Sequence, residues 1–282
     1  MNKYNRPAMT NRRLCILGTG NMGRALIGGL LRSGTRAEQL SAGESLPAAR
    51  EALAREFGIA ATADNDAAVA GASVVVLAVK PQEAAAVLQP LAGALAVARP
   101  LLISVLAGVR TATLESWCGR GVPVMRAMPN RPALIGAGAT GLYAPPGVGH
   151  EQRAAAEQIL KAIGEVVWVP SEAGLDVVTA LSGSGPAYFF LLAELMAEAG
   201  EQLGLEAGTA RRLAVATLYG SGLLAQTGHA ELARLRAEVT SSGGTTEAAL
   251  RVFAAADLRA TVHRALSAAV QRSRELAAAP TT

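Results

Sequence analysis

Residues Gly18-Thr19-Gly20-Asn21-Met22-Gly23 constrain this chain more than any other stretch. They follow an apolar run, Leu14-Cys15-Ile16-Leu17, and they open a helical pattern over residues 21–32. A strand that turns at once into a helix through G-x-G-x-x-G gives each glycine its own task. The first permits the tight turn. The second leaves room for a pyrophosphate against the backbone, and the third lets helix and strand pack closely. Free N–H groups and the positive end of the helix dipole then face the anion. The stretch predicts a dinucleotide site near the start of an α/β fold.

The rest of the chain extends that fold. Strand-like runs at 12–17, 40–43, 59–61, 73–79, 101–106, 122–128, 138–143 and 166–169 are interleaved with helical patterns at 21–32, 47–57, 82–95, 111–117 and 151–163. Asp64-Asn65-Asp66 caps a further short helix. The β-branched run over 73–79 marks a strand buried on both faces. Alternating strand and helix predicts a mostly parallel, doubly wound sheet. From Leu175 onward the pattern is helical only, at 186–203, 209–226, 230–239, 245–253 and 258–276. Ser182-Gly183-Ser184-Gly185 reads as a backbone hinge at the head of that part. The expected architecture is an α/β Rossmann-type domain followed by an all-α dimerisation domain. Residues 1–11 form a disordered lead, 12–172 the dinucleotide domain and 173–282 the helical domain. Leu191, Leu192, Leu195, Met196 and Leu203 with Leu213, Val215, Leu218, Leu223 and Leu224 cover more than one helix face; either the helices are fully buried or they meet a second subunit, and a helical dimer interface is the favoured reading.

Composition excludes several classes. At 282 residues, 51% hydrophobic and 17% charged, the chain buries a real core and is not disordered. The net charge of +4 is spread without basic runs, which fits a solvated surface and not a nucleic-acid face. Two cysteines build no disulfide framework and fit a reducing compartment. The first residues lack the apolar stretch of a signal peptide, and Arg99-Pro100 interrupts the apolar segment 91–109. A cytoplasmic chain without membrane contact is the expectation. Three histidines, none in a motif, leave no metal-ligand spacing.

Ligands of doubly wound sheets bind at the carboxyl ends of strands. Three stretches stand there: Ala78-Val79-Lys80-Pro81, Ala107-Gly108-Val109 and Met128-Pro129-Asn130. Asn130 has an amide suited to a carboxamide, and ordinary turn chemistry explains it equally well. Far along the chain, Thr240-Ser241-Ser242-Gly243-Gly244-Thr245-Thr246 gathers five hydroxyls and two glycines at a helix start. That composition makes a backbone-amide site for a carboxylate, with Ser241, Gly243, Gly244, Thr245 and Thr246 as its members. No strong proton donor accompanies the dinucleotide site. A nicotinamide reaction of that kind suits an electrophile already activated, such as a protonated imine.

Gly18–Gly23, Val79-Lys80-Pro81, Arg126-Ala127-Met128-Pro129-Asn130, Leu181-Ser182-Gly183-Ser184-Gly185-Pro186-Ala187-Tyr188 and 239–246 stand in the order seen in pyrroline-5-carboxylate reductase. The chain resembles that family over about residues 12–276. The resemblance implies NAD(P)H-dependent reduction of 1-pyrroline-5-carboxylate to L-proline, the last step of proline biosynthesis. It also implies an intertwined dimer and, in many members, a decamer. By resemblance, Leu17, Gly18, Thr19, Gly20, Asn21, Met22 and Gly23 hold the pyrophosphate. Ala78, Val79, Lys80, Pro81, Ala107 and Gly108 line the ribose and nicotinamide, and Asn65 lies near the adenosine half. Gly244 and Thr245 offer N–H groups to the substrate carboxylate, and Thr246 bonds the ring nitrogen. Ser242 stands where the family often has proline, and Glu44 stands where some members have a phosphate-binding serine.

Glu44 lies 21 residues after Gly23, where an acid accepts from the 2′-hydroxyl of NAD(H). Against the 2′-phosphate of NADP(H) it presents like charge, worth up to about 4 kcal/mol at contact before screening. Arg50, or a rotated Glu44 with Ser45 donating, would still admit NADP(H), so the residues leave the preference open. Two other readings use the same residues. A β-hydroxyacid dehydrogenase-like reductase would need a lysine on the first helix of the second domain; the nearby Lys161 precedes that domain. A non-catalytic dinucleotide-binding protein would not need the loop at 240–246.

Overall fold

The structure is a computed structural model that describes residues 12–227 and 231–278. The expected lead at 1–11, and Ala230 at the start of one expected helix, lie outside the described residues. The described residues fall into two compact units: residues 12–183 with 269–278, and residues 184–227 with 231–268.

The first unit is built on short strands, the central ones largely apolar. β1 (Leu14–Leu17), β4 (Val74–Leu77) and β5 (Leu101–Ser104) are buried at every position. Neighbouring side chains of a strand point to opposite faces, so each strand feeds two cores. Leu14, Ile16, Val74 and Val76 pack with Leu26, Ile27 and Leu30 of helix α1 (Asn21–Arg32) and with Ile159 and Leu160 of a later helix. Cys15, Leu17, Val75 and Leu77 pack with Leu88, Leu91, Leu95 and Leu114 on the other side. Both cysteines are free and buried.

The remaining elements of this unit are β2 (Leu40–Gly43), α2 (Pro47–Phe57), β3 (Ala60–Thr62), α3 (Asn65–Val69), α4 (Ala84–Ala98), α5 (Thr111–Cys118), β6 (Val124–Met128), β7 (Gly138–Tyr143), α6 (His150–Lys161), β8 (Gly164–Trp168) and α7 (Gly174–Val178). Strand order is β3-β2-β1-β4-β5-β6-β7-β8. The chain leaves β1 to one side and returns to the other through β4, which sets the crevice of a doubly wound sheet at the carboxyl ends of β1 and β4. All ladders are parallel except β6–β7. The link between those two holds a 3-10 turn, Arg131–Ile135, and is too short for the crossover a parallel pair needs.

Expected and observed bounds differ most where apolar residues continue past the ladder. The run at 73–79 pairs only over Val74–Leu77, and the helix expected at 82–95 is preceded by a 3-10 turn, Pro81–Glu83, and runs Ala84–Ala98. The expected hinge at 182–185 is a π-turn, Thr179–Gly183, followed by a bend at Ser184. The division between compact units falls at that bend.

The second unit is helical among its described residues: α8 (Gly185–Gln202), α9 (Ala207–Thr227), α10 (Leu232–Glu238), α11 (Thr245–Ala255) and the first half of α12 (Leu258–Ala278). α8 packs on α9, and Gly200 lets the backbone approach Ala210. Glu206 starts α9 by accepting from the N–H groups of Gly208 and Thr209. The unit buries few large side chains. Phe189, Phe190, Leu191, Leu192, Leu195 and Met196 are all close to half exposed or more, and exposed apolar side chains gathered in this way mark an interaction surface. The helical run Gly174–Gln202 is long and apolar enough to cross a membrane by length and composition.

Candidate functional site

At the end of β1 the backbone is held on both sides: Gly18 N–H donates to Gly43 O at 2.9 Å, and Ala78 N–H to Leu17 O at 2.7 Å. Gly18 has φ +88°, and a Cβ there would lie 2.7 Å from Val79 Cγ1 and 2.8 Å from Ala78 C. A Cβ on Gly23 would meet Gly18 O. The chain itself thus requires the first and third glycines. The second is different, since a Cβ on Gly20 has nothing within 4 Å. Its missing side chain leaves open space in front of the backbone, which is the room a pyrophosphate needs. Gly20 is also the N-cap of α1; it offers no side-chain cap, and no acid stands in the first turn. The N–H groups of Asn21 and Met22 and the helix dipole therefore face that space with no acid in the helix's own first turn. These residues fit a bound dinucleotide.

The neighbouring strand ends supply the surroundings. Asn65, first residue of α3, lies against the end of β2 with its Oδ1 where a Gly43 Cβ would be. Val79 covers Gly18 from the end of β4, Lys80 is exposed and 4.0 Å from Glu83, and Pro81 begins the 3-10 turn. Ala107 is exposed, and Gly108 (φ +76°) lies against Leu276 and Ala277 at the end of α12.

Glu44 reaches back to the glycine turn. Its Oε2 accepts from Thr19 Oγ1 at 2.6 Å and Thr19 N at 3.2 Å, and its Oε1 accepts from Leu46 N at 3.0 Å. Burial alone would raise the Glu44 pKa; these bonds and the charge of Arg50 outweigh it and hold the carboxyl below its ordinary value. Arg50 Nη1 donates to the backbone oxygens of Glu44 and Ser45 at 2.8 and 2.7 Å.

Asn130 stands apart from the other strand-end residues. Its Nδ2 donates to Ser182 O at 2.9 Å and its Oδ1 accepts from Ala139 N at 2.8 Å. Both ends of the amide tie β6 to β7 and to the π-turn, and each end keeps one further hydrogen-bonding position.

A charged network that the sequence reading missed lies behind the 107–110 turn. Glu172 Oε1 accepts from Thr111 N (2.7 Å), Thr111 Oγ1 (2.8 Å) and Arg126 Nη1 (2.8 Å). Asp176 accepts from Arg110 Nη2 at 2.9 Å and from Ser273 Oγ at 2.8 Å. Burial opposes the charge on Glu172, but the Thr111 and Arg126 donors prevail and lower its pKa. The signal was present: Arg126 is a charged residue inside an otherwise apolar strand, and such a residue needs a partner. Lys161, weighed as a catalytic lysine, is half exposed and pairs with Glu157 at 2.5 Å on α6.

In the second unit, the 240–246 loop ends on α11. Thr240 Oγ1 donates to Arg236 O at 2.6 Å, and Gly244 N–H closes a turn on Ser241 O at 3.1 Å. Gly243 (φ +72°) donates its N–H to the Glu247 carboxylate at 2.6 Å. The loop thus already receives one carboxylate oxygen on a backbone N–H. Gly244 is the N-cap of α11 and provides no side-chain cap. Thr245 and Thr246 occupy the first turn, where N–H groups have no intrahelical acceptor. Thr246 is half-buried, while Ser241, Ser242 and Thr245 are exposed.

Comparison with known proteins agrees with both halves. Residues 13–108 match the family described as "NADP oxidoreductase coenzyme F420-dependent", and residues 172–276 match "Pyrroline-5-carboxylate reductase dimerisation". Fold, glycine turn and these matches define an NAD(P)-dependent oxidoreductase that self-associates through its helical part. The pyrroline-5-carboxylate reductase of Pseudomonas aeruginosa is 48% identical over 269 residues, covering 95% of this chain and 98% of that protein. A solved pyrroline-5-carboxylate reductase from Coxiella burnetii has TM-score 0.92 at 39% identity, covering 95% of this chain and 99% of that one. A Plasmodium falciparum pyrroline carboxylate reductase solved with NADP bound has TM-score 0.82 at 26% identity, covering 96% of this chain and 100% of that one. The chain belongs to the pyrroline-5-carboxylate reductase family.

Proposed function

We propose that this chain reduces 1-pyrroline-5-carboxylate to L-proline, with the glycine turn holding the cofactor and the 240–246 loop holding the substrate. The observation that carries the reading is the loop itself: an uncapped helix start rich in hydroxyls, with one N–H already donating to a carboxylate. When bound, the reduced nicotinamide supplies a hydride to the C=N carbon.

Leu17 to Gly23 cradle the pyrophosphate, which faces the N–H groups at the start of α1. Ala78, Val79, Lys80, Pro81, Ala107 and Gly108 line the ribose and nicotinamide, Asn65 faces the adenosine half, and Glu44 faces the adenosine ribose. Asn130, anchored in the sheet by one donor and one acceptor bond, offers its second N–H to the nicotinamide carboxamide. Thr245 N–H, with Gly244, receives the substrate carboxylate. The Thr246 hydroxyl accepts from the N–H of the protonated imine and fixes which face of the ring is presented. As hydride adds to carbon, the C=N π pair moves to nitrogen, which keeps its proton. No side-chain acid has to deliver one.

The apolar faces of α8 and α9 would be covered by a second copy rather than by lipid, in an intertwined dimer that can build a decamer. We place the chain in the cytoplasm, where its two free cysteines would stay reduced. The test is Thr246→Ala. One neutral hydrogen bond is worth about 1–1.5 kcal/mol, so kcat falls roughly tenfold, and Thr246→Ser recovers most of it. Unchanged kinetics in Thr246→Ala would remove Thr246 from the mechanism.

A further inference from the structure

We propose that Glu44 makes this enzyme selective for NADH over NADPH, and that Thr19 is the positioning residue that holds Glu44 in the selective orientation. The proposal rests on the dinucleotide reading of the glycine turn. It settles a preference that the residues alone leave open, and three observations decide it.

First, the Glu44 carboxylate is fixed. Thr19 Oγ1, Thr19 N–H and Leu46 N–H all donate to it, so both oxygens are engaged and the side chain is held over the glycine turn. Its backbone is fixed too, since Glu44 N–H donates to Thr62 O at 2.9 Å. Every one of these donors favours the charged form.

Second, the cation that would rescue a 2′-phosphate is occupied. Arg50 Nη1 bonds the carbonyl oxygens of residues 44 and 45. It braces the turn that carries Glu44. Lys80, on the neighbouring strand end, lies 4.0 Å from Glu83.

Third, the donors that a 2′-phosphate would seek are already spent on an anion of the chain's own. A hydroxyl diol can donate to a fixed carboxylate, whereas a phosphate only repels it. Thr19 acts through Glu44: its hydroxyl at 2.6 Å is the shortest of the three bonds that aim the acid.

The test uses two ligands that lack nicotinamide, ADP-ribose and its 2′-phosphorylated form, titrated calorimetrically into the full-length protein. Binding is thereby read apart from turnover. ADP-ribose is expected to bind at least about tenfold tighter, or ~1.4 kcal/mol. Glu44→Gln keeps the shape and removes the charge; it should bring the two affinities to within about threefold, by tightening the phosphorylated ligand. Thr19→Val should lose selectivity and Thr19→Ser should keep it, a pattern that a merely structural Thr19 would not produce. Equal wild-type affinities, or a ratio unmoved by Glu44→Gln, overturn the proposal. If neither ligand binds, the dinucleotide reading falls, and this proposal with it.

Discussion

Removing the Glu172 carboxylate is the perturbation that most directly probes how the first unit holds its cofactor-side turn. Arg126 lies inside β6 with its side chain 5% exposed, and Glu172 is its ion-pair partner at 2.8 Å. The same Glu172 oxygen caps α5, because Arg110 at the N-cap offers no side-chain bond and Thr111 N–H turns to Glu172 instead. Glu172→Ala would leave a buried guanidinium without its bonded acid, with only the negative charge of Asp176 nearby, and α5 with no cap. Breaking a buried pair from one side costs about 3–5 kcal/mol. Glu172 is itself 24% exposed, so water relieves part of this, and about 3 kcal/mol is expected. A surface pair serves as the control. Arg234 and Glu238 are 75% and 53% exposed at 2.9 Å, and Glu238→Ala should cost less than about 1 kcal/mol.

Urea unfolding followed by tryptophan fluorescence measures both variants. Protein concentration must be held constant, since the stability of a self-associating chain depends on it. The double change Arg126→Met with Glu172→Leu should recover most of the loss, because apolar groups then replace both charges. A Glu172→Ala variant no less stable than Glu238→Ala would refute the account of this network.

The remaining predictions are shorter. The Glu172 pKa is lowered by folding, so its stabilisation is complete above its unfolded value, about 4.3, and is lost as pH falls through the still lower folded value. Glu172→Gln should flatten that acid limb, and an identical limb in both proteins would count against it. Gly20→Ala should leave the unfolding midpoint of the unliganded protein unchanged, since its Cβ meets nothing, yet weaken ADP-ribose binding at least about tenfold. Gly18→Ala should destabilise the fold itself by about 1–3 kcal/mol, given its φ and its clash with Val79; equal behaviour of the two glycine variants would contradict this division of roles. Burial pushes the Cys15 and Cys118 thiols up to about 12 and about 11. A thiol reagent at neutral pH should label neither until the protein unfolds, and fast labelling of the native protein would disagree.

What could be read from the sequence was what is decided locally. The glycine turn, the doubly buried strands and the Asp64 cap each depend on residues within one or two turns of each other. Accordingly, the parallel sheet and the helical second part were legible. Contacts made across the fold were not. Glu44 is visible as an acid after β2, but nothing in the sequence says that it bonds Thr19 or that Arg50 is held by carbonyls. Glu172 and Arg126 are 46 residues apart, so only the odd charge within β6 hinted at the pair. The antiparallel turn of β7 follows from a short link that reads like any other loop. Periodicity shows α12 as one unbroken helix; it cannot show that its second half joins the first unit through Ser273 and Asp176. Asn130 illustrates the same limit, since an amide at a strand end serves a ligand or the sheet with the same residue.

The measurement that bears most directly on the central claim is turnover by the purified protein with 1-pyrroline-5-carboxylate and a reduced nicotinamide. The account predicts that L-proline forms in equal amount to the reduced nicotinamide consumed, and that Thr246→Ala slows both together roughly tenfold. Tight ADP-ribose binding with no L-proline formed from either NADH or NADPH would contradict it.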